Sequence, residues 1–348
     1  MPERRAHRAR RGLDARPEAV RRPCDELRQL LRVRALKGLT IRKPDVVVAL
    51  TDPPIVGLAA LAAAKKAGAP FVFLCEDIFP EVATLLEDFH STAVNDALTQ
   101  VNRFLVRKAN RIIALGDTMK RRLVEGKGAD AAKVTVIHNW ADCSAVTPGP
   151  RDNAFARQHG LVDKFVALHA GNIGLSQDLE IVLHAADQLR DRGDIVFVFV
   201  GEGAKKKDLQ DMAQRRDLRN VMFLPFQPRE AMDQSYATAD VSLISLKHGL
   251  AGVIVPSKVY NVLASGRACV AAVEQDCEVA DIIRRGDCGF VVDPGDASAL
   301  RARVVELAAD RGRAAEMGTR ARAAALEFDR PRQVALYDRV LREVAARC

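Results

Sequence analysis

Apolar residues in this chain fall into short unbroken runs, separated by longer segments with helical spacing. Val46-Val47-Val48-Ala49-Leu50, Phe71-Val72-Phe73-Leu74, Arg111 to Leu115 and Val134-Thr135-Val136-Ile137 are such runs. A run that is apolar without alternation fits a strand buried on both faces, as in a parallel sheet. Ile55 to Ala67, the stretch through Val101-Asn102-Arg103-Phe104, and the segment after Gly116-Asp117-Thr118 read as helices between them. The resulting βαβ order predicts a doubly wound α/β unit, in which ligands gather at the carboxyl ends of the strands.

The pattern restarts after Pro148-Gly149-Pro150, a break that marks a linker. Strands are predicted at Phe165 to Ala170, Ile195 to Val200, Val221 to Leu224, Val241 to Ser245, Cys269 to Val273 and Gly289 to Val292. The 348 residues are long for one core, so two α/β domains are expected.

Charge changes the picture at one end only. The formal net charge is +8, but residues 1–43 hold 14 Lys/Arg against 5 Asp/Glu, so the remainder is close to neutral. Residues 1 to about 22 lack an apolar period. From Asp25 onward Leu27, Leu30, Leu31, Val33 and Leu36 suggest an amphipathic helix with a basic face. This segment reads either as an arm for an anionic membrane surface or as a leader outside the fold. Nucleic acid is not expected as a partner, because no aromatic residues interleave the arginines as a stacking platform requires. No apolar run approaches the roughly 18–20 residues of a spanning helix. Seven scattered cysteines without a CxxC pair point to reduced thiols in the cytoplasm, and seven dispersed histidines imply no metal site.

The stretch with most chemistry is Gly249 to Gly266, GLAGVIVPSKVYNVLASG. Its glycines allow close backbone approach to an anion. Pro256 and Ser257 resemble residues at a helix start, and Lys258 and Asn261, three apart, share one helical face. Free N–H groups, a helix N-terminus and a lysine form a phosphate site, and an ordinary crossover without a ligand is the competing reading. Gly171-Asn172-Ile173-Gly174 directly follows a predicted strand and fits a phosphate turn. Lys205-Lys206-Lys207 opens a helix, where cations oppose the dipole, so an anionic partner or a solvated face accounts for them. Glu76, Asp77 and Glu81 cluster at a strand end, either as catalytic or acceptor-binding carboxylates or as helix-capping residues.

GLAGVIVPSKVYNVLASG, together with AGNIGLSQDLE at Gly171 and VGEGAKKKDL at Val200, resembles family-4 glycosyltransferases of the GT-B fold. The resemblance covers roughly residues 44–345 and is nearest to bacterial O-antigen and exopolysaccharide enzymes, including N-acetyl-L-fucosaminyl transferases. It implies an α/β GT-B fold, two Rossmann-like doubly wound domains facing a cleft. The expected boundaries are a basic leader (1–43), an N-terminal acceptor domain (44–147), a nucleotide-sugar domain (148–326) and a helix crossing back to the first domain (327–348). That helix is expected to kink at Pro331 and dock Val334 to Val344. Such folds open with a strand, a Gly-rich loop and a helix before the position of Pro44. Residues 1–43 do not match that unit, so the N-terminal domain is expected to be incomplete, with an exposed sheet edge.

The resemblance also assigns roles. The diphosphate would lie at Gly171, Asn172, Gly174, Lys205 or Lys206, and Val255-Pro256-Ser257-Lys258, while Phe226 and Gln227 would receive the base. Related enzymes carry two glutamates eight positions apart, one for the donor sugar and one for the ribose. Val253 and Asn261 stand at those positions. Asn261 retains hydrogen bonding to a ribose diol, and backbone amides at Gly252, Val253 and Ile254 are expected to serve the sugar. Asp77, Glu81 and Lys206 are the catalytic candidates. His138 is expected to be a structural or cleft residue rather than a general base, and Trp140 to pack at the domain joint, with contact to a sugar as its alternative. The expected reaction is retaining transfer from a nucleotide-diphosphate sugar, UDP-linked and N-acetylated, to a lipid-linked or polysaccharide acceptor at the inner face of the plasma membrane. No cofactor is implied. A non-catalytic GT-B remnant that binds nucleotide-sugar or a partner subunit is the alternative.

Overall fold

The computed structural model describes residues 43–86, 91–228 and 231–346. The expected basic leader and amphipathic helix lie outside the described residues, Lys43 excepted. Four strands, β1 (Val47–Leu50), β2 (Phe71–Cys75), β3 (Arg111–Ala114) and β4 (Val134–Val136), form a parallel sheet in the order β1-β2-β3-β4. Within the described sheet β1 is an edge, with Val48 and Leu50 exposed.

The second sheet contains β5 (Phe165–Ala170), β6 (Ile195–Val200), β7 (Val221–Leu224), β8 (Val241–Ser245), β9 (Ala268–Ala272) and β10 (Gly289–Val292). Its order is β10-β9-β8-β5-β6-β7, parallel throughout. The direction of winding reverses between β5 and β8, and their pairing is limited to Ala167 with Val241 and Leu168 with Ser242. β5 continues to Ala170 past that pairing, so a crevice opens at the carboxyl ends of the two strands. This is where a doubly wound sheet receives ligands. The architecture is α/β and GT-B: two Rossmann-like parallel-sheet units.

Three hydrogen bonds are among the contacts that fix the two sheets relative to each other. The Ile78 amide donates to the Val253 carbonyl at 2.9 Å, and the Thr118 hydroxyl donates to the Asp276 carbonyl at 2.9 Å. The Met119 amide donates to Glu278 Oε1 at 3.0 Å. Gly252 makes the approach close, since its φ is +67° and a Cβ there would lie 2.9 Å from the Thr118 carbonyl. Glu278 opens its own helix, Glu278–Gly286. Its carboxylate serves another helix, Asp117–Lys127, whose unsatisfied N-terminal amides favour a negative charge.

The last helix, Arg330–Ala345, departs from expectation in one respect. Pro331 does not kink it; Asp329 caps the helix and Pro331 sits in its first turn, where no amide is needed. Val340 and Val344 pack against Val72, Ile113 and Ile137 of the first unit, whereas Val334 is exposed. Trp140 meets Tyr337 of this helix edge-on, with ring centroids 5.9 Å apart. His138 Nδ1 lies 3.0 Å from the Leu115 carbonyl, its ring edge-on to Phe328, and burial lowers its pKa. Cys75, Cys143, Cys269, Cys277 and Cys288 are free and buried. No described helix is long and apolar enough to cross a membrane.

Glu278 is 6% exposed, so its loss strands the Met119 amide away from water. Glu278→Ala is expected to cost about 1–3 kcal/mol, seen as a lower urea midpoint at unchanged slope. Glu278→Gln, which keeps an acceptor, is expected to cost less. An unchanged midpoint in the alanine variant would show that the contact holds nothing.

Candidate functional site

A cavity of 360 Å³ lies at the crevice, walled by both units. Its size is within the range of about 300–1,000 Å³ usual for small-molecule sites. The turn after β5 contributes Gly171 and Asn172, the segment after β8 contributes Ile254, Val255, Pro256, Ser257, Lys258 and Asn261, and the loop after β7 contributes Phe226 and Gln227. Asp77 enters from the first unit. Residues with no functional signal in the sequence complete the wall, among them Gln177, Met232, Ser235 and Tyr236.

Lys258 is the first residue of a helix of seven residues, Lys258–Ala264. A helix this short has a weak dipole, and Ser257 makes no side-chain cap, so the lysine itself supplies the positive charge. Its side chain runs beside Gly171, with Cε 3.8 Å from the place of a glycine Cβ. Nζ ends 3.1 Å from Nε2 of His169, a fully buried residue of β5. No carboxylate pairs with Lys258 among the described residues, and burial pulls its pKa down to about 7. An ammonium can only donate, so His169 must offer a lone pair at Nε2 and be neutral when Lys258 is charged. Burial, and then the Lys258 charge, hold His169 well below the usual histidine range. A histidine inside the apolar run of β5 was the sequence signal for this partner.

The GxxG turn differs from the expected phosphate loop. Gly171 has φ +127° and donates its amide to the Val200 carbonyl at 2.9 Å. The Ile173 amide is taken by the Glu202 carbonyl at 2.8 Å and the Gly174 amide by Gln177 Oε1 at 2.8 Å. Asn172 thus carries the turn's one N–H with no protein acceptor among the described residues, and Gly174 lies outside the cavity lining. The amides of Val253 and Ile254 are likewise spent inside their own turn, both on the Leu250 carbonyl at 2.9 and 3.2 Å. Neither N–H is free to meet a sugar in this arrangement. Val253 is fully buried and Gly252 faces Thr118, leaving Ile254 as the cavity residue of the three.

The lysine run is neutralised within the protein. Lys205 Nζ lies 3.0 Å from Glu180 and 3.6 Å from Asp208, and Lys206 Nζ lies 2.6 Å from Glu202 and 2.9 Å from the Gly201 carbonyl. Neither lines the cavity. Glu81 is also engaged elsewhere, 2.7 Å from Nζ of Lys127, whose buried side chain needs the counter-charge. Glu81 opens the helix Glu81–Leu85 beside the cleft rather than facing into it.

Asp77 remains as the carboxylate of the described cavity lining. Its backbone bridges Ile254 across the cleft, and its amide donates to the Thr51 hydroxyl at 3.2 Å. Burial first, then Glu76 and Asp52, push its pKa up to about 6. Phe226 is 59% exposed at the rim, and Gln227 Nε2 donates to the Pro225 carbonyl at 2.9 Å. Asn261 lies deeper, hydrogen-bonded to the buried Tyr236, whose phenol burial pushes up to about 12. Among the described residues no group of three His, Cys, Asp or Glu side chains is placed to hold a metal ion.

The raised pKa of Asp77 has a defined sign. The folded state favours the protonated acid, so its contribution to stability is full below about pH 4 and lost as pH rises through about 6. Asp77→Asn is therefore expected to raise the melting temperature at pH 8 and to leave it nearly unchanged at pH 4. Equal shifts at both pH values would contradict the burial of this carboxyl.

Comparison with known proteins agrees with this geometry. The family profile described as glycosyl transferases group 1 matches residues 151–324, and that of the glycosyl transferase 4-like domain matches residues 2–140. WcaI of Escherichia coli K12, assigned by name to colanic acid biosynthesis, is 34% identical over 188 residues, covering 53% of this chain and 46% of WcaI. WbjE of Pseudomonas aeruginosa, a glycosyltransferase by name, is 30% identical over 275 residues, covering 76% of this chain and 66% of WbjE. The chain thus spans under half of one relative and about two thirds of the other. Anabaena HepE, solved in complex with UDP, superposes with a TM-score of 0.74 at 19% identity over 92% of this chain and 83% of its own. Sucrose-phosphate synthase of Thermosynechococcus elongatus gives 0.77 at 16% identity over 97% and 83%. At such identities these two establish the fold alone. The profile that covers the cavity-bearing second unit carries the assignment: this chain belongs to the group 1 glycosyl transferases.

Proposed function

We propose that the chain transfers a sugar from a nucleotide-diphosphate donor, UDP-linked and N-acetylated, to a lipid-linked or polysaccharide acceptor during assembly of a cell-surface polysaccharide. The observation that carries this reading is Lys258, a recessed cation without a carboxylate in a cavity at the switch point of the second sheet. A diphosphate supplies the missing negative charge. Lys258 and the Asn172 N–H would hold it, Asn261 would bind the ribose, and Phe226 with Gln227 would receive the base. Asp77, arriving from the other unit, would meet the acceptor. The rate would come mainly from stabilising the departing diphosphate, with retention at the anomeric carbon.

Two likenesses support the choice of donor and setting. HepE, which shares the fold, is solved with UDP and with UDP-glucose, and WcaI carries colanic acid biosynthesis in its name. The resemblance of GLAGVIVPSK to O-antigen and exopolysaccharide enzymes supports the N-acetylated sugar. The excess of basic residues in 1–43 suits an anionic membrane surface, which would place the reaction at the inner face of the plasma membrane.

Thermal unfolding with UDP, GDP, ADP and dTDP tests the donor site. UDP at 100 times its Kd is expected to add about 2.7 kcal/mol of stability, with the other nucleotides weaker. Lys258→Met is expected to abolish the shift, and Lys206→Met to keep it, since Lys206 is paired outside the cavity. No shift with any nucleotide in a folded protein would overturn the reading.

A further inference from the structure

The contact between Lys258 and His169 has a consequence for binding. Lys258 faces three titratable groups: His169 from β5, Asp77 from across the cavity, and Tyr236 from the helix Met232–Thr238. None forms an ion pair with it. His169 is neutral, Tyr236 is tied to Asn261, and Asp77 is held by its backbone on the opposite wall. The amine is therefore recessed, lines an open cavity, and is held on one side by His169 Nε2 3.1 Å away, which accepts when the amine is an ammonium and also lies 3.4 Å from the Asn172 carbonyl.

Resting on the reading of this cavity as a nucleotide-diphosphate site, we propose that diphosphate binding is coupled to uptake of one proton at Lys258, and that His169 is the positioning residue that holds the amine to receive it. The proton comes from bulk buffer and adds to the Nζ lone pair; one N–H bond forms and no bond within the protein breaks. In the free protein a desolvated ammonium lacks a counter-ion, so the neutral amine is favoured as pH rises, and burial brings this crossover down to about 7. A bound diphosphate supplies the counter-charge and favours the ammonium. His169 Nε2 accepts one of its three N–H groups and leaves the others for the ligand.

The direction of the pH dependence follows. Below pH 7 Lys258 is already charged and binding takes up little. Above pH 7 the proton must be acquired, and affinity falls toward a limit of about tenfold per pH unit. Histidine deprotonation does not mimic this, because His169 titrates well below the usual range.

Titration calorimetry of the full chain with UDP, in two buffers of different ionisation heat at pH 8.5, reads the coupling directly. Close to one proton is expected to be taken up per UDP, with Kd weakening nearly tenfold between pH 7.5 and 8.5. The terminal phosphate of UDP, with a second pKa of about 6, is fully ionised there and takes no part. Lys258→Arg, permanently charged, is expected to bind UDP without proton uptake and with a flat pH profile. His169→Phe removes the lone pair and is expected to weaken binding several-fold at pH 7 and to move the onset of uptake to lower pH. UDP binding to the wild type without uptake at pH 8.5 overturns the coupling and leaves the donor site standing. Failure of UDP to bind overturns both. Uptake that persists in Lys258→Arg assigns the proton to another group, and an unchanged profile in His169→Phe removes its positioning role.

Discussion

An ammonium group taken out of water without a partner is unfavourable, and this protein holds one at the centre of its cleft. Lys258 is placed by three independent elements: the helix it opens, the glycine turn that its stem runs beside, and the histidine that its tip touches. Gly201 can have no side chain, because a Cβ there would fall 1.9 Å from the Gly171 carbonyl, and Gly171 itself has a φ of +127° that suits glycine. That backbone-to-backbone packing after β5 and β6 lets the Lys258 stem lie along the turn. The wall is then mostly apolar and sharpens any interaction with an anion, since charges act more strongly where water is excluded.

The cleft exists only because two sheets are held at one separation. The Leu250–Val253 turn accomplishes this by closing on itself through the Leu250 carbonyl while offering the Val253 carbonyl to Ile78. The turn that resembles a sugar-binding loop is thus a contact between the two units, and the departure from an acidic residue at Val253 is consistent with that use: a buried apolar side chain packs where a carboxylate would need solvent or a ligand. Glu278 reinforces the joint from the other side by capping a helix of the first unit.

The strands were legible because each is an uninterrupted apolar run; Phe165–Ala170, Ile195–Val200, Val241–Ser245 and Gly289–Val292 stand where the pattern puts them. Lys258, Asn261 and Asp77 were legible because their spacing from strand ends follows from topology. Partners across the fold were not. Lys206 reads as a phosphate ligand until the loop before its helix is seen to bring Glu202 to its amine, and Glu81 reads as catalytic until Lys127 is found beside it. Amide availability was equally hidden: Gly174, Val253 and Ile254 have the composition of an anion-binding turn, but their N–H groups are consumed by acceptors three or four residues away once the local turns close. Tyr236 had no signal, since one tyrosine on a short helix is indistinguishable from core until Asn261 meets it.

Asp77 and Lys258 face one cavity from opposite units, and the same desolvation moves their pKa values toward each other, to about 6 and about 7. Below this interval the acid is neutral and the amine charged, so the pair carries a net positive charge suited to a diphosphate. Above it the acid is charged and the amine neutral, so the pair repels an anion but offers a base to an acceptor hydroxyl. The proposed transfer uses a charged amine for the donor and a charged acid for the acceptor, and burial disfavours both charges. A bound diphosphate removes the conflict by stabilising the Lys258 ammonium, which carries the donor-binding state to higher pH, where Asp77 is fully ionised. In the proposed transfer, a donor that brings its own negative charge would offset the desolvation of Lys258 while leaving Asp77 to the acceptor side of the cavity.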